Sequence, residues 1–304
     1  MLSQNVNDYV ALHRAMGFKY RIQNSLLQHF VRFAEQRGDE FVDTQTVLVW
    51  AKEAPSRTQQ HNRLLIVRRF AKAMRAEDSR HQIPSADAFG RVVRQRRQPY
   101  IYSNADLCKL FMAASRLTPT GSVRALTFTT LIGLLAVSGL RISEALALST
   151  TDITDDGLSV RATKFCKDRL VPIHPSTREK LEHYLSSRLR PHASGAAVFV
   201  SLTGSRLAYS TAFATFLQLL RVTALRGEAD RGGPCFHDLR HTFAVRSLEQ
   251  CPENAQAISR HMTTLSTYLG HAHVSDTYWY LQATPKLLRR IADATEALHT
   301  GDRS

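Results

Sequence analysis

No apolar run in this chain of 304 residues approaches the roughly 20 needed to span a bilayer. The N-terminal Met1-Leu2-Ser3-Gln4-Asn5 lacks the basic start and apolar stretch of a secretory signal, so a cytoplasmic location, with no membrane partner, is the expectation. Cysteine is scarce and scattered: Cys108, Cys166, Cys235 and Cys251 form no CxxC pair. That spacing argues against a disulfide framework and against a zinc ribbon. There is no low-complexity tract, no internal repeat and no glycine-rich phosphate loop. At 43% hydrophobic and 22% charged, the remainder is the composition of an ordinary globular protein, long enough for two cored domains.

Acidic residues are also in short supply. Forty Lys and Arg stand against 26 Asp and Glu, a formal net charge of +14. The excess is spread along the chain, with 17 basic and 9 acidic residues up to Gln98 and 23 and 17 beyond it. A tail would concentrate such charge; its distribution implies a long positive surface that favours a polyanion such as nucleic acid over an anionic membrane, although a basic protein with no nucleic-acid role shares this composition.

Apolar periodicity predicts helices over Asn5–Met16, Gln23–Gln36, Thr44–Lys52 and Ser56–Ala76. On the fourth, Leu64, Val67, Ala71 and Met74 form a stripe to bury. Arg68, Lys72 and Arg75 line a neighbouring side, a pattern that a phosphate-binding face and a merely solvated face share. Ser79–Pro99 has little periodicity and carries Pro84, Gly90, Pro99 and the cations Arg91, Arg94, Arg96 and Arg97, a composition that a linker lying on DNA and a plain polar linker share. Further helices are expected at Asn104–Ser115, Val123–Val137, Arg141–Leu148, Ser210–Leu225, His237–Glu249, Leu265–Leu269 and Thr284–Leu298. Short strands are expected at Leu158–Val160, Leu170–Ile173 and Val198–Val200. The fold class is therefore mainly α: residues 1–80 a helical domain, 81–99 a linker, and 100–304 an α-rich domain with a small antiparallel sheet.

Three segments carry groups suited to phosphate chemistry. In His237-Asp238-Leu239-Arg240-His241, His237 and Arg240 share a helix face; the arginine offers forked donors and the histidine can exchange a proton. His237 and His241, at i and i+4, also have metal-ligand spacing, but a zincin needs Glu where Asp238 stands, and a third ligand. In Ser138-Gly139-Leu140-Arg141-Ile142-Ser143-Glu144, the glycine permits a tight turn. Arg141 then opens the next helix, and Glu144 is placed to hold its guanidinium. In Leu269-Gly270-His271 and Thr277-Tyr278-Trp279-Tyr280-Leu281 the aromatics read, by themselves, as core.

These segments, in this order, with a basic hairpin ending in Arg169-Leu170-Val171-Pro172, resemble the tyrosine recombinase (phage integrase) family, especially its transposon-borne and Xer-like members. The resemblance covers nearly the whole chain. It implies a SAM-like core-binding domain at the N-terminus and a catalytic domain whose C-terminal helix exchanges between protomers. Arg141 and Arg240 match the family's catalytic arginines, His237 and His271 its histidines, and Tyr280, nine residues beyond His271, its nucleophile. Tyr278 is the one competitor. Lys164 matches the lysine of the hairpin turn, although flanking glycines common in relatives are missing and Lys167 stays an alternative. The implied activity is site-specific cleavage and rejoining of paired DNA sites by a homotetramer, with room for accessory proteins, through a 3′-phosphotyrosyl intermediate. It implies no cofactor, metal or ATP. A type IB topoisomerase and a non-catalytic DNA-binding regulator are the rival functions.

Overall fold

The computed structural model describes residues 2–90, 97–161, 168–187, 195–228, 232–251 and 255–270, together with His273, Thr277, Tyr280, Arg289 and Glu296. The chain forms two compact units, Met1–Arg96 and Arg97–Ser304.

The described residues of the first unit form four helices, α1 (Leu2–Ala15), α2 (Arg21–Gln36), α3 (Thr44–Lys52) and α4 (Arg57–Glu77). Asp43 caps α3 by accepting from the Thr46 amide, and Ser56 caps α4 by accepting from that of Gln59, so each helix starts where an oxygen can satisfy a free N–H. The α4 stripe is buried as its spacing predicts: Leu64, Val67 and Ala71 are inaccessible and Met74 nearly so. They pack with Leu27, Phe30, Trp50 and Phe70 in one core. Trp50 also donates its indole N–H to His29 Nδ1 at 2.7 Å, which lets a polar-edged ring sit fully inside.

The chain after α4 folds back on this unit. His81 is buried and accepts the Val42 amide on Nδ1 at 3.0 Å, and the Gln82 amide donates to Val42 O at 2.8 Å. The described part of the expected linker is thus distributed between units: His81 and Gln82 are tied to the first, and Arg97–Tyr100 to the second.

The second unit contains α5 (Asn104–Ser115), α6 (Val123–Ser138), α7 (Ile142–Ala147), the strands β1 (Ile153–Thr154), β2 (Gly157–Val160) and β3 (Arg169–Val171), then α8 (Pro175–Ser186), α9 (Tyr209–Val222), α10 (Phe236–Glu249) and α11 (Ala255–Leu269). Apolar almost throughout, α6 is the central helix, and Phe128, Leu131, Ile132, Leu134 and Leu135 bury together with residues of α5, α9 and the sheet. The sheet is antiparallel in the order β1-β2-β3, with Leu158 opposite Val171 and Val160 opposite Arg169. Its pleat turns Leu158, Val160 and Val171 into the core and leaves Leu170 on the outside.

Two expectations need correction and one helix was missed. The helix expected at Leu265–Leu269 begins ten residues earlier, at Ala255. Val198–Val200 is not a strand of the sheet: the segment is buried and makes only isolated bridges, and the third strand is β1, too short for a visible alternation. Helix α8 was not expected; it buries only Leu181 and Tyr184, too sparse a stripe to read, although Pro175 sits at its first position. The expected helix Thr284–Leu298 lies almost entirely outside the described residues.

Because Phe70 is fully buried at the meeting of α1 and α4, Phe70→Ala should destabilise the first unit by about 3–5 kcal/mol. In a Trp279→Phe background, Trp50 fluorescence during urea unfolding reports on this unit, and an unmoved midpoint would contradict the packing described.

Candidate active site

The site grows from three helix ends. Ser138 ends α6, and Gly139 turns the chain with φ of +59°, a left-handed conformation in which a side chain is strained. A Cβ there would also stand 2.5 Å from the Phe243 ring, so Gly139 is required for conformation and for space. The turn delivers Arg141 to the N-terminus of α7. The guanidinium donates to Glu144 Oε1 at 2.7 Å, and the Arg141 amide donates to Glu144 Oε2 at 2.9 Å. Its other arm reaches Gly270 O at 3.4 Å.

Glu144 is also clasped by Arg169, whose Nη2 and Nη1 donate to the two carboxylate oxygens at 2.7 and 3.1 Å. Burial opposes the charge on Glu144, but the Arg169 fork, the Arg141 amide and the Arg141 side chain outweigh it and hold the pKa at about 2. Arg169 was not singled out from the sequence. The signal was its alternation with Val171: it faces inward, where a lone cation must find a carboxylate.

Arg240, on α10, is 1% exposed. It donates to Gly139 O at 2.8 Å and to Leu269 O at 2.5 Å, joining the α6–α7 turn to the end of α11. Burial first, and then the Arg141 charge, lower its pKa to about 10, so it keeps its proton at neutral pH. Its hydrogen-bond partners among the described residues are neutral carbonyls. Two neighbouring guanidiniums, one buried without a carboxylate among those partners, make a pocket of positive potential for an anion.

The start of α10 is fixed from beneath. Asp238 is 3% exposed and accepts from Arg97 Nη2 at 2.9 Å, from the Cys235 amide at 2.9 Å and from the Tyr100 amide at 3.3 Å. This clamp leaves the adjacent His237 on the exposed side of the helix. Desolvation by surrounding protein and then the Arg240 charge lower the His237 pKa, so its imidazole is neutral at pH 7 although the residue is exposed. The His241 ring lies 4.5 Å from that of His237, and its pKa falls to about 4 by burial and then by His237. Among the described residues no group of three potential ligands gathers for a metal.

Tyr280 is 2% exposed, seated among Ala244, Leu248, Met262, Leu265 and Leu269, with its ring 5.3 Å from His241. It is close enough to Arg240 to raise that guanidinium's pKa. The structure therefore brings together Arg141, His237, Arg240 and Tyr280. Lys164, Lys167, His271, Tyr278, Arg94 and Arg96 lie outside the described residues. Of the other predicted DNA contacts, Lys72 is exposed, while Arg68 and Arg75 donate to the carbonyls of Pro84 and His81 and Arg97 pairs with Asp238.

Glu144 ties acid stability to this site. With its folded pKa depressed, it stabilises the protein by about 3 kcal/mol above the ordinary glutamate pKa, and that contribution is lost as pH falls from about 5 to about 2. Glu144→Gln should therefore be less stable at pH 7 and show a flatter dependence of urea midpoint on pH across that window. An unchanged dependence would place the acid-labile group elsewhere.

Comparison with known proteins agrees with this geometry. The phage integrase family matches residues 105–286. A putative integrase/recombinase of Sinorhizobium fredii is 40% identical over 94% of both chains, and a second from that organism is 35% identical over 96% of this chain and 95% of its own. Among solved structures, the Tn1549 transposon integrase in complex with transposon right-end DNA covers 95% of this chain and 98% of its own, with a TM-score of 0.66 at 16% identity. The XerH site-specific recombinase bound to a palindromic difH substrate covers 91% and 79%, with a TM-score of 0.65 at 19% identity. At these identities the two solved structures show a likeness of fold. The chain belongs to the phage integrase family, the tyrosine recombinases, whose members cleave and rejoin DNA strands.

Proposed function

We propose that this protein cuts and rejoins DNA at specific sites through Tyr280, in the service of a mobile element. The observation that carries the reading is the convergence of Arg141 and Arg240 beside His237 and Tyr280. A tyrosine hydroxyl, with an ordinary pKa of about 10, attacks a phosphodiester only if its proton has a destination and the phosphate charge is screened. Arg141 and Arg240 bind the nonbridging oxygens and stabilise the crowded transition state. Neutral His237 helps accept the phenolic proton.

As Tyr280 Oη bonds to phosphorus, the bond from phosphorus to the 5′ oxygen breaks and that oxygen takes a proton from Lys164. His271 adds a hydrogen bond to the phosphate. The products are a 3′-phosphotyrosyl enzyme and a free 5′-hydroxyl. Attack by the 5′-hydroxyl of a partner strand returns the proton and releases Tyr280. The bond energy is kept in the phosphotyrosyl ester, so the cycle runs without ATP. Two guanidiniums supply the charge that a metal supplies in other phosphoryl-transfer enzymes.

The DNA partner is supported by the +14 charge and by the DNA-bound state of the structural relatives. In this reading residues 1–80 are a core-binding domain, with Lys72 on its DNA-facing side and Arg68 and Arg75 adding charge beside it. Arg94 and Arg96, from the basic stretch of the expected linker, add phosphate contacts, while Arg97 serves the second unit through its pairing with Asp238. The segment beyond Tyr280 docks on a neighbouring protomer, giving a homotetramer on paired sites, and the enzyme works in the cytoplasm.

Two variants test the chemistry on duplexes taken from the DNA flanking the encoding gene. Tyr280→Phe should bind such DNA as the parent does yet form no covalent adduct with a nicked substrate; adduct retained by this variant would move the nucleophile to Tyr278. Lys164→Ala should slow adduct formation by 100-fold or more, on the order expected for loss of a proton donor. A parental rate, with the defect appearing in Lys167→Ala, would reassign the acid. Plasmid relaxation with no recombinant product would turn the reading toward a topoisomerase.

A further inference from the structure

The chemistry above gives no part to His241, although its ring neighbours those of both His237 and Tyr280. The centroids lie 4.5 Å apart for His237, with the planes at 81°, and 5.3 Å apart for Tyr280, with the planes at 61°. One imidazole therefore meets the proposed proton acceptor and the proposed nucleophile.

Its place on α10 belongs to an apolar row. His241, Ala244, Val245 and Leu248 fall at i, i+3, i+4 and i+7, and the last three are buried in the core that seats Tyr280. His241 Nδ1 is buried and has no hydrogen-bond partner among the described residues. A buried polar nitrogen in that state opposes folding, and an apolar side chain in the same row would not. Packing alone does not account for an imidazole here.

The charges facing the two histidines are mostly positive. Arg240 lies on α10 itself, Arg141 comes from the α6–α7 turn and Arg97 from the segment before α5, with Asp238 as the carboxylate among them. From α11, His261 bonds Ser247 at 2.9 Å and Tyr268 stacks on Phe243. Burial, and then the charge of His237, hold the His241 pKa at about 4, so His241 stays neutral as its neighbour takes a proton. A neutral imidazole presents a lone pair to an adjacent cation that the arginines oppose.

We propose that His241 is a positioning residue whose ring nitrogen supports the imidazolium formed at His237 as the Tyr280 proton leaves. The proposal rests on the recombinase reading given above, in which that proton passes to His237 while Oη bonds to phosphorus. Without the support His237 is a weaker base, its pKa falls further, and adduct formation slows.

The test compares the full-length parent, His241→Phe and His241→Asn on a nicked duplex bearing a mapped cleavage site, with adduct rates followed across the imidazole titration range. Phenylalanine keeps a ring in the row and removes the nitrogens. The asparagine amide keeps a polar atom near the place of Nδ1 and removes the ring. His241→Phe should unfold in urea at or above the parental midpoint and bind the duplex as the parent does. It should form adduct about tenfold more slowly, a part of the 100-fold or more that a proton-transfer partner supplies. Because the acceptor must be neutral, its rate should rise through an inflection at lower pH than the parent's. His241→Asn should be less stable than His241→Phe and yet recover most of the lost rate. If the larger ring lowers the midpoint, His241→Leu takes its place with the same expectations. A parental rate in the apolar variant overturns the proposal alone, as do equal losses in the apolar and Asn variants with an unmoved inflection. A parent that binds the duplex and forms no adduct overturns the recombinase reading, and this proposal with it.

Discussion

Burying the Arg240 guanidinium is the constraint around which the second unit is arranged. A cation in that position loses its water, and only convergent acceptors can offset the loss. The acceptors are main-chain carbonyls at two helix ends, Gly139 O and Leu269 O, which have no partner of their own within a regular helix. The α6–α7 turn, α10 and the end of α11 must therefore meet at one point. Carbonyls solvate the charge without cancelling it, whereas a carboxylate would have neutralised it. The carbonyls that hold the arrangement together thus leave its positive potential in place.

Charge compensation is placed one step further out. Glu144 neutralises Arg169 and orients Arg141, and Asp238 engages Arg97 beneath α10. Each carboxylate is buried and grips main-chain amide as well as arginine, so neither can swing toward the space beside Arg141 and Arg240. The acidic groups are thus fixed where they hold cations in place and absent from the described face that the anion would approach. His237 is kept neutral by desolvation first and by the Arg240 charge second, and neutral is the protonation state an acceptor needs.

How much of this could be read from the sequence depended on whether a residue's role was local. The helices of the first unit were legible because one apolar stripe, such as Leu64, Val67, Ala71 and Met74, decides each of them. Asn104–Ser115 was legible to the residue because its Ser103–Asp106 capping box fixes the start. Arg141 and Arg240 could be named because motif order carries them, and Glu144 because it lies three residues from its partner. Arg169 could not be placed with them, since its partner lies 25 residues away in sequence and only the strand pleat shows it facing inward. Likewise Arg97 looked like a linker cation, and its tie to Asp238 spans 141 residues. Helix α8 and strand β1 were hidden for the opposite reason, burying too little to leave a pattern.

Tyr280 joins the two kinds of information. By itself the residue reads as core, and its ring is in fact 2% exposed in an apolar seat formed by α10 and α11. The same seat places it within the field of Arg240, the cation whose burial organises the unit. Packing and chemistry are therefore not competing explanations for this side chain. A phenol is both a large apolar ring and a group with a polar end, so an apolar seat can fix its position while a desolvated guanidinium lies nearby. Phe in its place would satisfy the seat and leave the field without an oxygen to act on.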